Sequence, residues 1–222
     1  ILCVGALAAT QAKKWIKAIP VVFVLVPSPE RLGLAGSNVT GIGLVVPMRT
    51  QLETLKAIAP RTKSVGVLFN PDLSQAAIEQ AISAARELGV SVVPAKVQAP
   101  EDVPGATKSL TGKVDALWMI PDRTVASVDA FKAALAFSIK EKLPMFAFGE
   151  EQVREGALVA MASDYTAIGQ QAGRLVDRLL REGVSAGNIP IAAPEGLDIF
   201  LNLSTARRVG GECDVALEVL KL

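Results

Sequence analysis

Short apolar runs alternate along this chain with longer segments in which apolar residues recur every three to four positions. The runs at 1–4, 21–26, 64–69, 91–97, 115–120, 144–148 and 157–161 read as strands, and the segments 8–18, 48–58, 74–88, 101–111, 125–142 and 165–182 read as helices. The segment 74–88 carries Ile78, Ala81, Ile82, Ala85 and Leu88 on one face, and Gly89 follows as a helix C-cap. Further strands are expected near 189–193 and 197–201, with a last helix from about Ser204. Continuous apolar strands in βαβα order predict an α/β fold: parallel sheet, helices on both faces, right-handed crossovers.

Four strands run directly into polar turns: VVFVLV into Pro27-Ser28-Pro29, VGVLF into Asn70-Pro71, DALWMI into Pro121-Asp122, and MFAF into Gly149-Glu150. Parallel strands put their carboxyl ends on one edge, so these turns are expected at one crevice, where open α/β sheets take their ligands.

Two stretches, 38–47 and 158–164, join an early and a late helix to the block 64–148 without being needed in that block's own sheet. Both read as crossings between two lobes, with a third expected within 187–198. The expected lobes are 1–45 with 162–186, and 46–161 with 187–196. Residues 197–222 form a terminal segment expected to return to the first lobe. Three crossings make a hinge, and hinged α/β lobes close on ligands.

Composition narrows the chemistry. Lys and Arg number 23 against 22 acids among 222 residues, with no basic concentration, so nucleic acid is not an expected partner. No apolar run approaches the ~20 residues of a membrane-spanning helix. Histidine is absent and cysteines number two, Cys3 and Cys213, which removes most metal sites and His-dependent nucleophiles; no cofactor is expected. A bridge between these cysteines requires the chain ends to meet, and Cys3 otherwise reads as a small buried hydrophobe. No G-x-G-x-x-G follows a strand, which argues against a dinucleotide enzyme.

The candidate binding residues stand in the turns, each beside a plainer explanation. Ser74 is placed to cap the helix after Asn70-Pro71-Asp72, where free N–H groups also suit a carboxylate. Asp122 offers a seat for an amino group, with Arg123 as its ligand-site neighbour or its ion-pair partner and Thr124 beside them. Asp164 either caps the helix at 165 or binds ligand, with Thr166 beside it, and Tyr165 either stacks on a ligand or packs between lobes. Ser28, Gly149 and Glu150 fill the remaining turns. Trp118, inside a strand, reads as core. A hydrolase reading would pair Glu150, Glu151, Asp122 and Asp164 as acid and base, but no nucleophile or activating base stands beside them.

The series IPVVFVLV, SNVTGI, SVGVLFNP, ELGVSVV, KVDALWMIPD, LPMFAFGEE, EGALVAMASDYTAIGQQAGRLVDRLL and IPIAAPEGLDIFLNLSTARRVG resembles, in order and spacing from Ile1 to Gly210, the bacterial ABC-transporter substrate-binding proteins whose known members take aromatic amino acids. The resemblance implies a type I periplasmic binding fold with two Rossmann-like lobes. It also implies a small solute (an amino acid), an ABC permease as partner, and a periplasmic or lipid-anchored extracellular location. It places the front of the first lobe, and any signal segment, upstream of Ile1. The chain departs from the family's pattern at Gly5-Ala6-Leu7, where a hydroxyl residue usually follows the glycine, in a shortened loop at 27–37, and in the tail GECDVALEVLKL. An extracellular sensing module of a signalling protein shares this bilobal plan and is the alternative.

Overall fold

The computed structural model describes residues 1–36 and 38–209, and Cys213, with any pairing to Cys3, lies outside the described residues. Cys3 itself is buried and, among the described residues, has no disulfide partner. Nine strands and eight α-helices follow in chain order, among the described residues, as β1 (Leu2–Val4), α1 (Ala6–Trp15), β2 (Val21–Val26), β3 (Val39–Gly43), α2 (Met48–Ile58), β4 (Ser64–Phe69), α3 (Pro71–Glu87), β5 (Ser91–Lys96), α4 (Val103–Lys108), β6 (Ala116–Met119), α5 (Val128–Lys140), β7 (Met145–Ala147), α6 (Glu150–Glu155), β8 (Val159–Ser163), α7 (Tyr165–Glu182), β9 (Leu197–Leu201) and α8 (Leu203–Arg208). The chain forms two compact units, one of residues 1–47 and 163–198, the other of residues 48–162 and 199 onward, and passes between them after Pro47, Ala162 and Asp198.

The first unit holds the three-stranded parallel sheet β1-β2-β3. Strand β2 is buried on both faces because helices cover both: Val21 and Phe23 pack with Ala9 and Ala12 of α1, and Val24 packs with Ile168 and Ala172 of α7. Leu25 has a left-handed φ of 56°, and the β2–β3 register slips between Phe23 and Val26. This bulge breaks the two-residue alternation, so Val26 falls on the Phe23 face. Residues 189–196 belong to this unit as an extended strap beside β3, where Ala192 bridges Ile42. That corrects the expectation that 187–196 lies in the second lobe and that 189–193 is a full strand. Residues 197–198 stay with the first unit, but residues 199–209 join the second, so this described part of the terminal segment does not return to the first as expected. The physical reason is β9, whose apolar residues find a partner strand in β8.

The second unit holds the sheet β5-β4-β6-β7-β8-β9. Strands β4 to β8 pair in parallel, with β4 between β5 and β6. Strand β8 is therefore part of this sheet, correcting its reading as a crossing outside it. The Leu158 carbonyl accepts from the Asn202 N–H at 2.8 Å, and the Asp164 N–H donates to the Gly196 carbonyl at 3.0 Å. Partner numbers fall as those of β8 rise, so β9 runs antiparallel to it. One face of the sheet packs Leu68, Leu117, Met119 and Met145 on Phe131 and Leu135 of α5 and on α4. On the other face Trp118 is 1% exposed and its indole N–H donates to Gln51 of α2 at 3.0 Å.

Two further differences from the sequence reading have local causes. Helix α1 stops at Trp15 rather than 18, with Ile16 already extended. Helix α6, unread in the sequence, is short, with Glu150 and Glu151 in its first turn, Arg154 in its last, and Gly156 at φ 131° ending it. Those acids and that glycine are a helix start and stop signal.

At the amino edge of the second sheet, Asp115 Oδ2 accepts from the N–H groups of Lys63 and Ser64 (2.9 and 2.8 Å) and from the Ser64 hydroxyl (2.8 Å), tying the start of β6 to that of β4. Partial burial raises the carboxyl's pKa, but the Ser64 hydroxyl, the two N–H donors and the Lys63 charge outweigh it and hold it below its ordinary value. A depressed folded pKa contributes stability above the unfolded value and loses it as pH falls through the folded one. Asp115→Asn is accordingly expected to cost about 0.5–1 kcal/mol at pH 7 in urea denaturation, the site being solvent-screened, and the gap to the parent should narrow below about pH 4.

Candidate functional site

The strand order β5-β4-β6-β7-β8 reverses direction between β4 and β6, because β5 lies to one side of β4 and all later strands to the other. The loops leaving the carboxyl ends of β4 and β6 diverge to opposite sides there, leaving a crevice at the sheet edge. Residues 70–74 leave β4 at this point and residues 121–124 leave β6. Five of the sequence candidates, Asn70, Ser74, Asp122, Arg123 and Thr124, are therefore gathered at one topological switch point.

Asn70 is the N-cap of α3: its side-chain oxygen accepts from the Asp72 N–H at 3.0 Å and Pro71 occupies the first helical position. This corrects the assignment of the cap to Ser74, which lies within the first turn. Freed from capping, the Ser74 hydroxyl donates to Asp122 Oδ2 at 2.6 Å. The same oxygen accepts the Asn70 N–H at 2.9 Å, and Oδ1 accepts the Thr124 N–H at 2.9 Å. Asn70 Nδ2 in turn donates to Thr124 Oγ1 (3.0 Å) and to the Gln98 carbonyl (3.3 Å). Asp122 is 2% exposed and Asn70 8%. The Asp122 carboxylate thus joins the two diverging loops with three in-chain hydrogen bonds, while Arg123 is exposed.

Gly149 and Glu150 end the neighbouring strand β7, so the parallel β6–β7 pairing puts them on the same edge. Gly149 is the N-cap position of α6 in an extended conformation, without a side-chain cap. Glu150 pairs with Arg154 one turn on at 2.6 Å and lines an open groove of about 560 Å³ with Phe200 and Leu203.

Three candidates lie in the first unit. Ser28 is exposed, with φ 50° in the turn after β2. Asp164 caps α7, its Oδ1 accepting from the N–H groups of Thr166 (2.7 Å) and Ala167 (3.1 Å). Tyr165, next along, is 66% exposed and its ring is not buried in any core.

Sequence reasoning missed Gln98, whose backbone carbonyl completes the Asn70 environment; a main-chain acceptor leaves no trace in residue type. It also missed Asn70 as the cap, although Asn followed by Pro carries that signal. Truncating Asp122 strands the buried Asn70 N–H and the Ser74 hydroxyl. Asp122→Ala is expected to lower stability by about 2–3 kcal/mol in urea denaturation followed by circular dichroism.

A tyrosine-binding protein of Clostridioides difficile is 28% identical over 215 residues, which cover 93% of this chain and 61% of the relative; the chain spans about three fifths of that protein's length. The ligand-free, open structure of a substrate-binding protein with adhesive properties from Clostridium difficile matches at 27% identity and a TM-score of 0.82, over 96% of this chain and 74% of that one. A conserved domain protein from Vibrio cholerae matches at 29% identity and a TM-score of 0.66, over 94% and 72%. The fold is the α/β, type I periplasmic-binding class. The family model for ABC transporter substrate-binding proteins matches residues 1–219, and the chain belongs to that family.

Proposed function

We propose that the protein captures a free amino acid outside the cytoplasmic membrane and presents it to an ABC permease, without performing chemistry on it. The observation that carries this reading is the hydrogen-bonded group Asn70, Ser74, Asp122 and Thr124 at the switch point of the second sheet, in a chain of the substrate-binding family. The tyrosine-binding relative supports an amino acid as the solute class. No described helix is long and apolar enough to cross a membrane, so in this reading the permease supplies the passage.

Each unit carries its own candidate ligand contacts in this reading. On the second unit, the start of α3 around Asn70 and Ser74 faces the carboxylate, because the positive end of the helix dipole favours negative charge there. Asp122 has three in-chain partners, so its role is to hold that rim rather than to seat the amine. On the first unit, Asp164 has only Oδ1 engaged in capping and can offer Oδ2 to an ammonium group. The exposed Tyr165 ring stacks on an apolar or aromatic side chain. Ser28, Arg123, Thr124, Gly149 and Glu150 remain candidate rim contacts.

Calorimetric titration with the twenty amino acids tests the reading. Binding is expected for aromatic members such as L-tyrosine or L-tryptophan, and Tyr165→Ala is expected to weaken it about tenfold, or about 1.4 kcal/mol. Silence with all twenty, alongside binding of a sugar or an inorganic anion, overturns it.

A further inference from the structure

The strap of residues 189–196 is fastened at intervals along β3 and α7. Thr40 Oγ1 donates to the Ile189 carbonyl at 2.9 Å, and Ala192 exchanges hydrogen bonds with Gly41 and Gly43, both 2.9 Å. Gln171 of α7, 7% exposed, donates to the Ala193 carbonyl at 3.0 Å and accepts from the Glu195 N–H at 3.2 Å. The strap ends at Gly196, whose carbonyl accepts the Asp164 N–H. From there the chain enters β9 and leaves for the second unit.

Gly196 does not have the positive φ that would by itself require glycine. What requires it is proximity: a Cβ at 196 stands 2.2 Å from the Ala167 Cβ and 3.3 Å from the Asp164 Cβ. Ala167 belongs to the first turn of α7, and its N–H is one of the two that the Asp164 carboxylate caps. The absence of a side chain at 196 and the single methyl at 167 therefore fix the distance between the strap and the helix start. Any added atom must displace the turn that carries Asp164 and Tyr165, because Gln171 ties the strap to α7 itself and the Ala192 bonds tie it to β3.

We propose that Gly196 and Ala167 are a size-matched pair that positions the Asp164 carboxylate and the Tyr165 ring for ligand. This makes Gly196 a positioning residue that touches no ligand itself. The functional half of this inference rests on the reading of Asp164 and Tyr165 as ligand contacts; the positional half rests on the packing alone.

The test uses four forms of the protein: parent, Gly196→Ala, Ala167→Gly, and the double variant. Two readouts are taken on each: amide hydrogen exchange at Thr166 and Ala167, and calorimetric affinity for L-tyrosine and L-tryptophan. Gly196→Ala is expected to speed exchange at both amides and to weaken binding by about tenfold or more. The double variant, with the methyl's space returned from the opposite side, is expected to recover both to within about threefold of the parent. If Gly196→Ala does not fold while the double variant folds and binds, the size match is supported equally. Unchanged exchange in Gly196→Ala, or failure of Ala167→Gly to restore what Gly196→Ala removes, overturns the proposal. Should exchange respond and recover while affinity stays at the parent's level, the positional half stands and the link to ligand is overturned. A parent that binds neither probe sinks the amino-acid reading, and the exchange arm still decides the size match.

Discussion

A carboxylate buried at the point where two loops part, and held there by three hydrogen bonds, is the constraint around which the second unit is arranged. Sheet topology sends the chain after β4 and the chain after β6 in opposite directions, which opens a gap. Left alone, the gap would expose the Asn70 N–H and the start of α3. Asp122 closes it by accepting from Asn70 and Ser74 on one side and from Thr124 on its own. A single acid thereby fixes the direction in which α3 begins. Asp115 performs the same bridging at the other end of the same two strands. Strand β6 is thus pinned to β4 at both ends by acids seven residues apart, with the apolar residues between them left to pack.

The fold was largely legible because both periods were strong. Buried parallel strands give unbroken apolar runs, as in VVFVLV, and α3 and α7 carry clean three-to-four spacing, so element type followed directly. Elements lost their legibility where tertiary pairing decided them. The strap at 189–196 reads as a strand by composition, yet only Ala192 achieves a bridge, because other backbone groups of the strap go to the Thr40 hydroxyl, the Gln171 side chain and the Asp164 N–H instead of to a strand ladder. Helix α6 was hidden because six residues are too few to show a period; only its end signals were available.

The site was legible as a set of positions and less so as a set of roles. Parallel topology brings the turns after β4, β6 and β7 to one edge whatever their residues are, so candidates taken from those turns were bound to be neighbours. Which group faces a ligand depends on how many in-chain donors each oxygen already has, and that is a property of distances. Asp122 and Asp164 look alike in sequence, each following a strand and preceding a helix. One is buried with both oxygens engaged, and the other is half-buried with one oxygen in a cap.

The two tryptophans give the molecule an internal optical contrast. Trp118 lies in the core of the second unit with its indole N–H held by Gln51, whereas Trp15 stands 71% exposed on the first, under the ammonium of Lys14. Their emission must differ in colour and in access to an aqueous quencher, so iodide darkens one and spares the other. Unfolding of the second unit can then be followed in the native chain by light alone, without a label attached to either half.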